Sequence, residues 1–385
     1  MKYADDENED NEKEINVIFK NMSKNISKKI ESVKKEISQN MIEKQIFLKK
    51  LNTIRETPNI RIRLNSQLDT NYIINPILFC LANLEIFNEF ILSEKKQEVL
   101  SKFQGQIYFT VIFFHLLEEM RNKNTLEPND NFIHDYLKER LDHYLTQEPA
   151  EIINSIFTLM DEEMKLANIN KENRFSNLIP DNFSLTLKTI EKCNVCRLHK
   201  EIISEEKKYI VDLFLTNPVA PNIIEPLQSV FSNLLSEDDG MVTNKKCPKC
   251  QYKTVRIKAI ENLNKYLIIN LNREKDPNNS MQLIYSETLN LIEEKEDGTN
   301  KLYKYKLISA LSDINSNIKN LPMAQELNII ESNRTSFKIF YKNFINDKWY
   351  MILDVEPPKL FENIQEGISS TKANILIYKS INKFL

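Results

Sequence analysis

At 385 residues, with 41% hydrophobic and 28% charged content, the chain can bury one large core or two moderate ones. A formal net charge of −3 gives no overall drive toward nucleic acid or a membrane surface, and no apolar run is long enough to span a bilayer. The first residues are acidic (Asp5, Asp6, Glu7, Glu9, Asp10) and lack the apolar stretch of a secretory signal, so a soluble intracellular chain is expected.

Residues 1–13 read as a disordered acidic tail. From Glu14 onward Ile15, Ile18, Met22, Ile26, Ile30, Val33, Ile37, Met41, Leu48 and Leu51 recur at three- and four-residue steps, with lysines on the opposite face. That period predicts an amphipathic helical extension over residues 14–57, as one helix or two. It suits either a helix lying on the domain behind it or a coiled coil or partner-binding arm. Pro58 ends it, and the main domain is expected over 59–385. Asn75–Leu81, Ile107–Met120 and residues 132–166 predict helices. After about Asn182 the pattern changes to strands: Tyr209–Phe214, Tyr266–Leu271, Tyr305–Ile308, Ser336–Tyr341, Trp349–Leu353 and Ile375–Tyr378. Helices first and an antiparallel sheet afterwards indicate an α+β fold.

Four of the five cysteines form two CxxC pairs, Cys193 with Cys196 and Cys247 with Cys250. Two such pairs supply the thiolate quartet that a closed, tetrahedral, structural zinc site requires. Their separation exceeds that of a compact zinc ribbon, so the fold must bring two distant hairpins together with the metal at their tips. Four ordinary reduced thiols are the alternative; disulfides do not suit an intracellular chain. Cys80 sits in the apolar run Leu78-Phe79-Cys80-Leu81 and is expected to behave as a small hydrophobe. His199 follows Cys196 by three residues but is read as a surface residue, because four sulfurs already fill the tetrahedron. His115, within Phe113-Phe114-His115-Leu116-Leu117, is read as a core or boundary residue. Lysines cluster at Lys24, Lys28, Lys29, Lys34 and Lys35, and again at Lys245, Lys246 and Lys249. Such clusters can touch RNA phosphate within a larger assembly, although a solvated face explains them too.

Six segments in order resemble the ubiquitin-specific protease (USP) family over roughly residues 60–385. Asn71-Tyr72-Ile73-Ile74-Asn75-Pro76-Ile77-Leu78-Phe79-Cys80-Leu81 is similar to the cysteine box and its helix, and Gln147-Glu148-Pro149-Ala150-Glu151-Ile152-Ile153 to the Gln-Asp-Ala-x-Glu-Phe-Leu box. The CxxC pairs match the zinc-bearing fingers, and Lys265–Arg273 the strand after them. Tyr305–Ala310 resembles the strand before the histidine box, and Ser336–Leu353 the box itself with the strand that follows. The resemblance implies a papain-like palm–thumb–fingers fold, with a thumb over about 60–180 and fingers and palm over about 181–385. Zinc would be held structurally by Cys193, Cys196, Cys247 and Cys250.

Hydrolysis in that family needs a thiolate, a histidine base and an Asp or Asn that orients the histidine. The alignment puts Tyr72, Ser336 and Leu353 at those positions, with Asp354 next to the last. No cysteine precedes Cys80, and the four histidines are His115, His134, His143 and His199, so none lies in the C-terminal strands. Asn333 and Arg334 replace the flexible glycines before the base. A pseudo-protease rather than an enzyme is therefore expected. Within the family the chain most resembles the catalytically silent branch associated with the spliceosomal tri-snRNP. The carrying residues are Asn71-Tyr72-Ile73-Ile74-Asn75 and Ser336-Phe337-Lys338-Ile339 ahead of Lys348-Trp349-Tyr350. This implies a nuclear splicing scaffold with protein partners in the tri-snRNP. A module of another complex that binds ubiquitin without cutting it is the first alternative, and an active deubiquitinating cysteine protease, which the family resemblance alone supports, is the second. Residues 1–60 contain neither Cys nor His, where that branch carries a further zinc finger.

Overall fold

The computed structural model describes residues 45–58, 71–103, 108–122, 148–167, 177–193, 200–215, 224–230, 242–272, 282–294, 300–313, 337–353, 358–362 and 373–381, with isolated positions such as 175, 195, 196 and 368 and several between 24 and 42. The acidic tail, residues 132–147, His134, His143, His199 and Ser336 lie outside them. The chain divides into two compact units, 1–54 and 55–385. In the first, every described position from 24 to 51 is helical, and Met41 and Leu48 of the apolar stripe are exposed.

Among the described residues the second unit opens with six helices: α1 (Asn71–Ala82), α2 (Glu85–Leu92), α3 (Lys95–Ser101), α4 (Phe109–Arg121), α5 (Pro149–Leu166) and α6 (Leu178–Phe183). The α1 sequence is apolar almost all round, which suits a helix enclosed on every side; Ile74 and Ile77–Leu81 are buried. Pro149 opens α5, where a missing N–H costs nothing. The buried Glu163 of α5 caps α4, accepting the N–H groups of Phe109 at 2.9 Å and Thr110 at 2.8 Å. Phe87 lies at the centre of the helical core, with Phe113, Phe114, Phe157 and Phe183 all within 6.4 Å between ring centroids. Phe183 stacks on Tyr266 at 5.1 Å and so ties the helices to the sheet.

Fourteen strands follow among the described residues: β1 (Leu185–Lys192), β2 (Lys200–Lys208), β3 (Ile210–Phe214), β4 (Ile224–Pro226), β5 (Val242–Lys246), β6 (Lys253–Glu261), β7 (Tyr266–Asn272), β8 (Gln282–Ile284), β9 (Thr288–Glu294), β10 (Asn300–Asp313), β11 (Phe337–Lys342), β12 (Trp349–Leu353), β13 (Lys359–Leu360) and β14 (Ala373–Ser380). The main sheet runs β13-β12-β11-β10-β14-β7-β3, with β9 also paired to β10. Its continuous apolar runs are explained by burial on both faces. Tyr266 and Ile268 of β7 and Ile375 and Ile377 of β14 face the helices. Leu267, Ile269, Leu376 and Tyr378 alternate with them into a second core under β9 and β10. One expectation needs correction: the sheet is mixed, because β3 pairs with β7 in parallel. Among the described residues no single helix is long and apolar enough to cross a membrane.

Candidate functional site

A separate four-stranded sheet, ordered β2-β1-β6-β5, projects two hairpins. The first hairpin closes at the Lys192–Lys200 pair and the second at Lys246–Lys253, and the antiparallel pairing of β1 with β6 sets them side by side. Cys193 and Cys196 occupy one tip, Cys247 and Cys250 the other. The second knuckle is wound tightly: Gln251 donates its N–H to the Cys247 carbonyl at 2.9 Å and Cys247 donates to Tyr252 at 2.7 Å. Gln251 takes φ 63° there, a left-handed conformation that glycine adopts without strain. Behind the tip, buried Glu191 accepts the Thr254 hydroxyl at 2.8 Å and lies 3.6 Å from Lys245.

The four sulfurs lie within 4.8 Å of one another, with Cys193–Cys250 at 3.4 Å and Cys196–Cys247 at 3.6 Å. A tetrahedron with Zn–S bonds of about 2.3 Å has S–S edges of about 3.8 Å, so the quartet fits such an ion. Backbone N–H groups favour thiolate: that of Cys196 leads in holding the Cys193 pKa down to about 6. At Cys247 burial opposes the charge, but the N–H groups of Cys250 and Lys249 outweigh it and the pKa falls. Bound zinc would add no reactivity here; it would pin the tips of two hairpins already joined by the β1–β6 pairing and by the Glu191–Thr254 and Lys245–Glu201 contacts.

The positions expected to correspond to a catalytic triad are placed as follows. Tyr72 is the second residue of α1. Pro76, four residues on, has no N–H to donate to the Tyr72 carbonyl. Leu353 is the half-buried last residue of β12, opposite Lys338 of β11. Ser336 lies just before β11, outside the described residues. The β11–β12 hairpin is intact: Asn343 of its turn donates its N–H to Lys348 at 2.8 Å and accepts from Ile345 at 2.8 Å. Cys80 is buried in α1, and Ser309 of β10 donates to its sulfur at 3.3 Å. Burial pushes that thiol up to about 12. His115, expected in the core or at its boundary, is instead exposed on α4, 3.4 Å from Glu119. Lys245 of the finger cluster is engaged with Glu201 at 2.7 Å.

One feature was not legible in the sequence. A groove of about 500 Å³ lies between α5 and the strands β2, β3 and β7, with Glu148, Glu151, Glu206 and Asp212 along it against Lys207 and Lys208. Glu148 and Glu151 belong to the box read from residues 147–153. Their partner Asp212, which accepts Asn270 Nδ2 at 2.9 Å, lies some sixty residues further on, so only folding unites them.

Helices packed on one face of a twofold-buried sheet, and an arm ending in four thiols, define the thumb, palm and fingers of a USP fold. The chain belongs to the ubiquitin carboxyl-terminal hydrolase family, whose family model matches residues 63–378. Among solved structures it is similar to a chain of the SAGA Ubp8/Sgf11/Sus1/Sgf73 DUB module bound to ubiquitin aldehyde. The TM-score is 0.62 at 16% identity, over 84% of this chain and 71% of that one. The same module bound to monoubiquitin matches with TM-score 0.62 and 14% identity, over 85% and 71%. A yeast SAGA DUB module with a variant Sgf73 matches with 0.57 and 15%, over 85% and 71%. No curated protein sequence matches the chain.

Proposed function

We propose that the chain is a catalytically silent member of its family, a nuclear scaffold that supports tri-snRNP assembly and pre-mRNA splicing. The observation that carries the silence is chemical: no histidine follows His199, so neither β11, β12 nor the segment leading into them carries an imidazole at the position of the family's base. Tyr72 supplies a phenol of ordinary pKa about 10 where a thiolate would attack, and Ser336 and Leu353 replace the base and its orienting group. Cys80, the one thiol outside the fingers, is protonated and enclosed. The scaffold half of the reading rests on what is kept: a complete core, an intact β11–β12 hairpin and a four-thiol finger site. The splicing branch rests on residues 71–75, 336–339 and 348–350, which resemble that branch. Nucleic acid would be met only within the assembly.

A second reading, ubiquitin held without being cut, is favoured by the acidic groove. Four carboxylates against two lysines suit a basic peptide segment, and the similar SAGA structures are described as bound to ubiquitin aldehyde and monoubiquitin. Affinity purification of the tagged chain from its own cells, with mass spectrometry, separates the two. Co-purifying snRNP proteins support the splicing scaffold. Ubiquitin conjugates without snRNP proteins replace it with the second reading.

A further inference from the structure

A half-open cavity of about 430 Å³ lies at the end of α1 remote from Tyr72, between Asn83, the β11–β12 turn, the middle of β10 and the end of β14. Three neighbouring strands each bring a lysine to it: Lys342 of β11, Lys306 of β10 and Lys379 of β14. Lys306 and Lys379 are direct cross-strand partners. Like charges in that register destabilise a sheet unless something neutralises them.

The carboxylates present do so incompletely. Glu85 pairs with Lys379, and Asp347 pairs with Lys342 at 2.6 Å. Among the described residues no carboxylate lies within ion-pair distance of Lys306; the neighbouring Lys342 ammonium lowers its pKa, with burial adding to the effect and Asp347 and Glu287 opposing it from further off. Asp347 sits at the rim, its side chain 82% exposed and its backbone left-handed at φ 58°, so it can leave Lys342 at little cost in contacts. The walls are apolar at Ile308, Phe344 and Ile381.

We propose that this cavity binds a small molecule bearing a phosphate monoester, its oxygens held between Lys306 and Lys342 with Asp347 displaced to solvent. Two ammonium groups match a dianion, and the volume and apolar walls fit a compact organic body. A nucleic-acid backbone would instead need an open groove that tracks successive phosphates.

The test uses the full zinc-loaded chain in phosphate-free buffer at fixed ionic strength. Inorganic phosphate, phenyl phosphate and a phosphoserine peptide are titrated while Tm is read. The expected result is a saturable rise of a few degrees, reached at lower concentration with phenyl phosphate than with the other two. Binding should weaken at least tenfold in Lys306→Gln and in Lys342→Gln and be unchanged in Lys301→Gln, an exposed lysine of the same strand. No saturable rise, or an equal rise in Lys306→Gln, overturns the site. Tightest binding of the peptide overturns the small-molecule assignment. Should the glutamine variants not fold, ¹³C-lysine signals of the wild-type chain decide: two must move saturably with phenyl phosphate, and none moving overturns the proposal.

Discussion

Ser309 and Cys80 stand 229 residues apart in sequence, yet the Ser309 hydroxyl donates to the Cys80 sulfur across 3.3 Å inside the core. The bond joins α1 to β10 and fixes the fate of the chain's only thiol outside the fingers. Buried beside Phe79 and Leu81, that sulfur is shut off from solvent.

Thiol titration should therefore sort the five cysteines into classes. With zinc bound, the folded chain should react slowly, or not at all, with a disulfide reagent. A chelator should release the four finger thiols, and denaturant the fifth. A fast-reacting thiol that persists in Cys193→Ser but disappears in Cys80→Ala would contradict the burial argument.

The same thiol carries a pH dependence. Its ordinary pKa is 9.0 and its folded value about 12, so between those values the folded state keeps a proton that the unfolded state gives up. The stabilisation is complete below pH 9 and is lost as pH rises toward 12. The advantage of the wild-type chain over Cys80→Ala should thus shrink in that window, by up to roughly 4 kcal/mol. Chemical denaturation of both proteins at pH 8 and pH 11 measures it; an unchanged difference counts against the assignment.

The finger quartet predicts one zinc per chain. Cys247→Ser should lose the metal and lower Tm by about 10 °C or more, because structural zinc binding is coupled to folding. Cys80→Ala should retain full zinc by atomic absorption. Zinc content equal in both variants would remove the site.

At the second knuckle, Gln251 pays for a left-handed backbone. Gln251→Gly should raise stability by about 0.5–1 kcal/mol, and Gln251→Val should lower it, as read by urea denaturation of the zinc-loaded chain. The opposite order would mean that the Gln251 side chain, not its φ, matters.

Among the described residues, buried Arg121 has no carboxylate partner and is satisfied by carbonyls. It reaches Ala82 O at 3.0 Å, Glu56 O at 2.8 Å and Asn83 Oδ1 at 3.1 Å, and lies 5.0 Å from the Phe344 ring centre. It joins the start of the second unit to α1 and to the β11–β12 turn. Arg121→Ala should cost about 3–5 kcal/mol, and Arg121→Lys should recover little, since an ammonium cannot replace the guanidinium fork. Full recovery by lysine in equilibrium unfolding would contradict that role.

The sequence made legible elements with a continuous apolar stretch, deeply buried in β7 and β14 and mostly half-buried in β12. The strands β7, β11, β12 and β14 announce themselves as apolar runs, and the CxxC spacing already required two joined hairpins. The finger strands were harder. β2 reads Lys-Glu-Ile-Ile-Ser-Glu-Glu-Lys-Lys and is almost wholly exposed, so no burial period marks it. The parallel β3–β7 pair depends on contacts between distant segments, to which local pattern is blind. His115 misled because its neighbours are apolar on both sides, whereas the helix turns position 115 outward. The groove at Glu148 and the lysines at 306, 342 and 379 were invisible because each is ordinary until strands from distant parts of the chain converge.

The most direct measurement is turnover of a fluorogenic ubiquitin C-terminal substrate by the purified, zinc-loaded chain, beside a SAGA DUB module as active control. The account predicts a rate indistinguishable from buffer, unchanged by Tyr72→Phe and by Cys80→Ala. Catalytic turnover that a single substitution abolishes would contradict it and return the chain to the working hydrolases.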